Sequence, residues 1–185
     1  MGNVKRVYVE KKAPFAVKAK ELQEEIGNYL GIKSVTGVRI FIRYDVENLS
    51  DTVFEQALSC VFSEPPVDDY YLETIEVPDG NKVFSVEFLP GQFDQRADSA
   101  VQCIRFLKED EEPVIRTAVT YMVAGEITDQ EFARIRSYCI NPVDSREVSM
   151  EKPDTLITQY EEPVDVAVFD GFTGMGEEEL RKLYE

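Results

Sequence analysis

LPGQFDQRADSAVQC, residues 89–103, is the stretch on which the fold turns, because an earlier part of the chain has the same shape. Phe93-Asp94-Gln95-Arg96-Ala97 repeats the pattern of Phe15-Ala16-Val17-Lys18-Ala19, an aromatic residue followed three positions later by a cation and then alanine, at an offset of 78. Upstream, Val86-Glu87 echoes Val9-Glu10 at 77. Downstream, Arg39, Tyr44 and Val46 return as Arg116, Tyr121 and Val123 at 77, and Ser50-Asp51-x-x-Phe54 returns as Thr128-Asp129-x-x-Phe132 at 78. Matches kept in order at a nearly constant spacing indicate a tandem duplication. The period is too long for a solenoid repeat, so each copy is a small domain-sized unit.

Periodicity supplies the elements. Residues Val4–Val9 alternate as a strand, and Pro14 precedes a helical pattern over Phe15–Leu30 that Gly31 ends. Gly37–Val46 places Val38, Ile40, Ile42, Tyr44 and Val46 on one side of a strand. Ser50 is placed to cap a short helix running through Val61, and Tyr70–Val77 reads as a further strand. The second copy runs the same way: strand Lys82–Leu89, helix Asp94–Lys108, strand Val114–Val123 and helix Thr128–Tyr138. Thr128 and Glu131 have the spacing of a capping box. Repeat 1 spans about 3–62 and repeat 2 about 81–140, within a domain 1–142. The expected fold is α+β: a duplicated β-α-β-α unit forming two antiparallel sheets with helices on one face, related by a pseudo-twofold. Neither copy holds much core of its own, so the halves should join sheet to sheet or edge to edge, leaving the chain a monomer.

Residues 143–185 differ in kind. From Asp144 to Glu185 there are 12 acidic and 4 basic residues, half of the chain's net −16 in its last quarter. Proline and glycine interrupt the segment, and only Val164–Phe169, as a strand, and Glu177–Tyr184, as a helix, carry a pattern. It reads as an extended acidic linker.

Composition narrows the function. The net charge opposes non-specific nucleic-acid binding and adhesion to anionic membranes. No run of about 18 apolar residues is present, and Met1–Lys12 lacks the apolar stretch of a secretory signal. Cys60, Cys103 and Cys139 are an odd set without zinc-type spacing, which fits reduced thiols in a cytoplasmic protein. Histidine is absent, so the commonest general base and metal ligand is missing. Gly171-Phe-Thr-Gly-Met-Gly could cradle an anion, but Glu177, Glu178 and Glu179 fill the helix start behind it with negative charge. The remaining candidate is the turn at 92–99. There Asp94 can cap a helix and Arg96 be a plain surface charge; alternatively Gln92, Asp94, Gln95 and Arg96 form a polar cluster offering a guanidinium and backbone N–H groups to an anion or a docking surface.

The strings LPGQFDQRADSAVQC (89–103), RYDVE (43–47), VFSEPPVD (61–68) and YCINPVDSRE (138–147) closely resemble the large, single-chain phosphoribosylformylglycinamidine synthases of purine biosynthesis, and the resemblance covers essentially the whole chain. It implies the N-terminal portion of such an enzyme, a domain similar to a dimer of the small companion subunit (the PurS type) found where the enzyme is split, followed by the start of a linker. It implies a reaction in which formylglycinamide ribonucleotide, ATP and glutamine give the amidine, ADP, phosphate and glutamate. ATP, magnesium and the glutaminase cysteine belong, on this resemblance, to synthase and glutaminase domains beyond Glu185, leaving this chain non-catalytic and without a cofactor of its own. Asp94, Gln95, Arg96 and Ser99 are then expected to contact the synthase domain or the substrate's edge, and Arg146 to make a linker contact. A metabolite-binding regulatory module built from the two repeats is the alternative.

Overall fold

In a computed structural model, the described residues are 4–157 and 171–184. The architecture is α+β. Six strands form one antiparallel sheet: β1 (Lys5–Lys11), β2 (Val35–Glu47), β3 (Asp68–Leu72), β4 (Lys82–Phe88), β5 (Val114–Gly125) and β6 (Ser145–Val148). Their spatial order is β3-β1-β2-β5-β4-β6. Helices α1 (Val17–Asn28), α2 (Asp51–Ala57, continued as a π-helical turn over Leu58–Phe62), α3 (Gln95–Leu107) and α4 (Asp129–Cys139) lie against one face, and α5 (Glu177–Tyr184) follows. The proposed strand at Val164–Phe169 falls outside the described residues.

The expectation of two sheets is corrected here. The long strands β2 and β5 pair along their whole length, from Val35 opposite Gly125 to Glu47 opposite Val114. Each would otherwise expose an unpaired edge of 12 or 13 residues, and edge-to-edge joining satisfies both ladders at once. The registers on either side of this seam match. Val7 faces Tyr44, and the residues 77 later in each strand, Phe84 and Tyr121, also face each other. Val9 faces Tyr70 at one edge, and Val86 faces Glu147 at the other, again 77 later on both strands.

Period-two alternation sends Val7, Val9, Tyr44 and Val46 to the helical face, and Arg6, Tyr8, Arg43 and Asp45 to the opposite one. Two clusters form under the helices, and each draws on both halves of the chain. Val53, Phe54 and Phe62 of the α2 region meet Ala97, Ala100 and Ile104 of α3; Leu22 and Ile26 of α1 meet Phe84, Val123 and Ile135. Neither half therefore closes its core alone. The start of α4 is the capping box that its sequence specifies: the Glu131 N–H donates to Thr128 Oγ1 at 3.2 Å, and the Thr128 N–H donates to Glu131 Oε2 at 2.9 Å. Ser50 heads α2 without capping it through its side chain; its hydroxyl donates instead to Glu111, 2.5 Å away and remote in sequence.

The helix-free face is covered by the chain itself. Residues 145–148, assigned from sequence to a linker, form edge strand β6, and residues 149–156 run back over the sheet. Arg6 and Arg43, 1% and 4% exposed, share the carboxylate of Asp45 and donate to the backbone carbonyls of Met150 (2.6 Å) and Ser149 (2.9 Å) respectively. Further along, Glu47 accepts the Leu156 N–H at 2.6 Å and Arg116 donates to the Leu156 carbonyl at 2.6 Å. Leu156 itself is buried, and burying a leucine contributes about 1.5–3 kcal/mol.

Candidate functional site

The turn at 89–94 is held at both ends. The Leu89 N–H donates to the Asp144 carbonyl at 2.8 Å, and the Gln92 N–H closes back on the Leu89 carbonyl at 3.0 Å. Between them Gly91 takes φ +90°, which a side chain would resist, so Pro90-Gly91 reverses the chain directly into α3. Asp94 is then the N-cap of α3, accepting the Ala97 N–H at 2.9 Å through one oxygen. Its other oxygen accepts the N–H and hydroxyl of Thr117 on β5, at 3.1 and 2.8 Å. That carboxylate ties helix to sheet and faces inward.

The other predicted residues diverge from it. Gln95 and Ser99 are exposed, four positions apart on the solvent side of α3. Arg96 turns toward β2, where its guanidinium lies near the buried Tyr44 hydroxyl; burial raises that phenol above its ordinary range, and the Arg96 charge opposes the rise. Arg146 lies on β6 and is engaged across the strand pair with Glu87 of β4, at 2.9 and 2.7 Å. The structure thus brings Asp94 and Arg96 to one end of α3 with different jobs, and places Arg146 elsewhere, at the sheet edge.

Arg96 opens onto a groove of about 770 Å³ over the centre of the helical face. Val38, Ile40 and Ile42 of β2 form its floor, and the first turn of α1, with Phe15 and Lys18, forms a wall. A smaller recess of about 330 Å³ shares Lys18 and Ile40 with it and reaches Tyr121 and Cys139. Burial pushes both of those groups up to about 12, so each stays neutral across the physiological range. At the groove's margin Lys11 pairs with Asp68 at 2.8 Å and Arg39 with Glu10 at 2.6 Å.

The floor and Lys18 were not identified from sequence as a site. Alternation places the β2 residues on one side of a strand, and nothing local reveals that α1 and α3 leave the sheet centre uncovered. Lys18 did have a signal, because it occupies the position of Arg96 in the repeated aromatic-x-x-cation-Ala pattern.

No group of three or more histidine, cysteine, aspartate or glutamate side chains among the described residues is placed to hold a metal ion. Cys60 and Cys103 are exposed, and the Cys60 thiol donates to the Gln56 carbonyl within its own helical turn. No helix among the described residues is long and apolar enough to cross a membrane. Compared with known proteins, the chain matches no family model, and no curated protein matches it.

Proposed function

We propose that this chain is a non-catalytic assembly module of a cytoplasmic phosphoribosylformylglycinamidine synthase, a tandem duplication folded as a fused pseudo-dimer. In this role it docks on the synthase domain, holds the glutaminase in register and helps close the route by which ammonia passes between them. ATP and magnesium would be held by those partner domains.

The observation that carries the reading is the match of strand registers across the β2–β5 seam. A residue pair in one half recurs 77 positions later as a pair in the other, from the inner strands to both edges. That supports two copies of one unit about a pseudo-twofold near Ile42 and Val119, which face each other and are themselves 77 apart. A fused dimer of a small subunit is what the sequence resemblance implies. The exposed aromatics Phe15 and Phe93, at matching positions before α1 and α3, fit a surface that meets another domain.

Gln95→Ala and Arg96→Ala, made in the intact enzyme, test this. Both side chains lie at the surface, so folding should survive, while glutamine-dependent turnover should fall relative to turnover with ammonia. Unchanged glutamine-dependent turnover in both variants would remove the 92–99 turn from the docking surface.

A further inference from the structure

The centre of a sheet beneath a layer of helices is ordinarily its best-covered part. Here Val38, Ile40 and Ile42 stand at that centre and remain only half-buried, because α1 and α3 flank them without closing over them. The groove so formed is cationic in a chain that carries 36 acidic residues against 20 basic ones. Its marginal cations are matched by carboxylates, as Lys11 is by Asp68 and Arg39 by Glu10. Lys18 and Lys20, on the α1 wall, and Arg96, from the α3 side, form no ion pair with any described residue, and Arg96 lines the groove together with Tyr44. Apolar floor, cations drawn from both walls and a phenol at the bottom recur at one place, within a volume of about 770 Å³. Ligand pockets ordinarily span roughly 300–1,000 Å³ and combine an apolar lining with a few polar groups that fix orientation. A second copy of this chain is a poor occupant, since its groove would present the same cations and its surface the same net charge.

We propose that this groove binds a small amphipathic anion. Its aromatic or aliphatic body would lie on Val38, Ile40 and Ile42, and its carboxylate, sulfonate or phosphate would be held by Arg96 and Lys18. The site stands independently of the assembly role, because it requires only this chain.

The test uses two fluorescent probes of the same apolar body, anionic 8-anilinonaphthalene-1-sulfonate and neutral N-phenyl-1-naphthylamine, titrated into the folded chain. One sulfonate probe per chain should bind, and more tightly than the neutral amine. Arg96→Glu and Lys18→Glu should each weaken the sulfonate about tenfold to a hundredfold, the range expected for losing a charge-assisted hydrogen bond, and leave the amine unchanged. Both positions are exposed, so unchanged circular dichroism and melting will show that the variants fold. Phe106→Ser removes an apolar side chain that is 89% exposed and outside the groove, and should have no effect. Sulfonate binding indifferent to both charge reversals, or the two probes binding equally, would overturn the proposal and leave the groove as a face for a larger partner. Loss of binding in Phe106→Ser would overturn it as well.

Discussion

Replacing Asp94 by alanine separates a structural from a contacting role at the turn where both were expected. The carboxylate accepts three hydrogen bonds, from the Ala97 N–H, the Thr117 N–H and the Thr117 hydroxyl. Losing a side-chain N-cap costs about 0.5–2 kcal/mol. Leaving the half-buried Thr117 groups short of a partner adds roughly 1–3 kcal/mol, reduced where water reaches them. The sum is about 1.5–5 kcal/mol, a large part of the roughly 5–15 kcal/mol by which domains are stable. With a urea slope near 2 kcal/mol/M, the unfolding midpoint should fall by about 0.8–2.5 M. The chain holds its own comparison: at the matching position before α1 stands Ala16, and that helix begins with no side-chain cap. Ser99→Ala, on the exposed side of α3, should stay within about 0.5 kcal/mol of the parent. In a double-mutant cycle with Thr117→Val, the coupling to Asp94 should exceed about 0.5 kcal/mol. A midpoint shift below about 0.3 M for Asp94→Ala would refute the reasoning and return Asp94 to the list of contact residues.

Asp45→Ala should cost about 3–5 kcal/mol, because it strands two guanidiniums that are buried against the sheet, and urea unfolding will measure the loss. Gly125→Ala should be strongly destabilising: φ there is +133°, and an added Cβ would lie 2.1 Å from the Ser34 carbonyl oxygen, so a melting temperature within about 2 °C of the parent would contradict the backbone as described. Cys60 and Cys103 should react rapidly with a disulfide reagent at pH 8, whereas Cys139 should wait for denaturant. The pH dependence follows from the same burial. The folded Cys139 thiol is raised from an ordinary value of 9 to about 12, and Tyr121 from 10 to about 12. Both groups therefore hold their protons longer folded than unfolded, and stability should be intact below pH 9 and decline as pH rises toward 12, as alkaline urea titrations will read.

Much of this fold is visible in sequence wherever a segment buries one face locally. α1 and α3 show it through Ala19, Leu22 and Ile26 and through Ala97, Ala100 and Ile104, each at helical spacing. β6 does not, because Ser-Arg-Glu-Val has no apolar alternation; its place comes from backbone pairing with β4. The 77-residue offset did contain the answer, since adding it to the Asp68–Leu72 strand lands on residues 145–149. The choice between two sheets and one was not readable from β2, whose apolar positions would face the helical layer in either arrangement. Nothing local in β1 or β2 marks Arg6 and Arg43 for burial, which comes with the return of residues 149–156 over them. At the site, the helix cap at Asp94 could be read from its position before α3. The groove beside it could not, being made by the spacing of two helices rather than by any one of them.

The assembly role is tested most directly by reconstitution. Synthase and glutaminase domains, expressed without this chain, would be assayed for glutamine-dependent amidine formation with and without the purified chain added. The account predicts no turnover by the chain alone, weak glutamine-dependent turnover by the partner domains and a saturable gain when the chain is supplied. Partner domains that use glutamine equally well in its absence, or a chain that turns over substrate unaided, would contradict it.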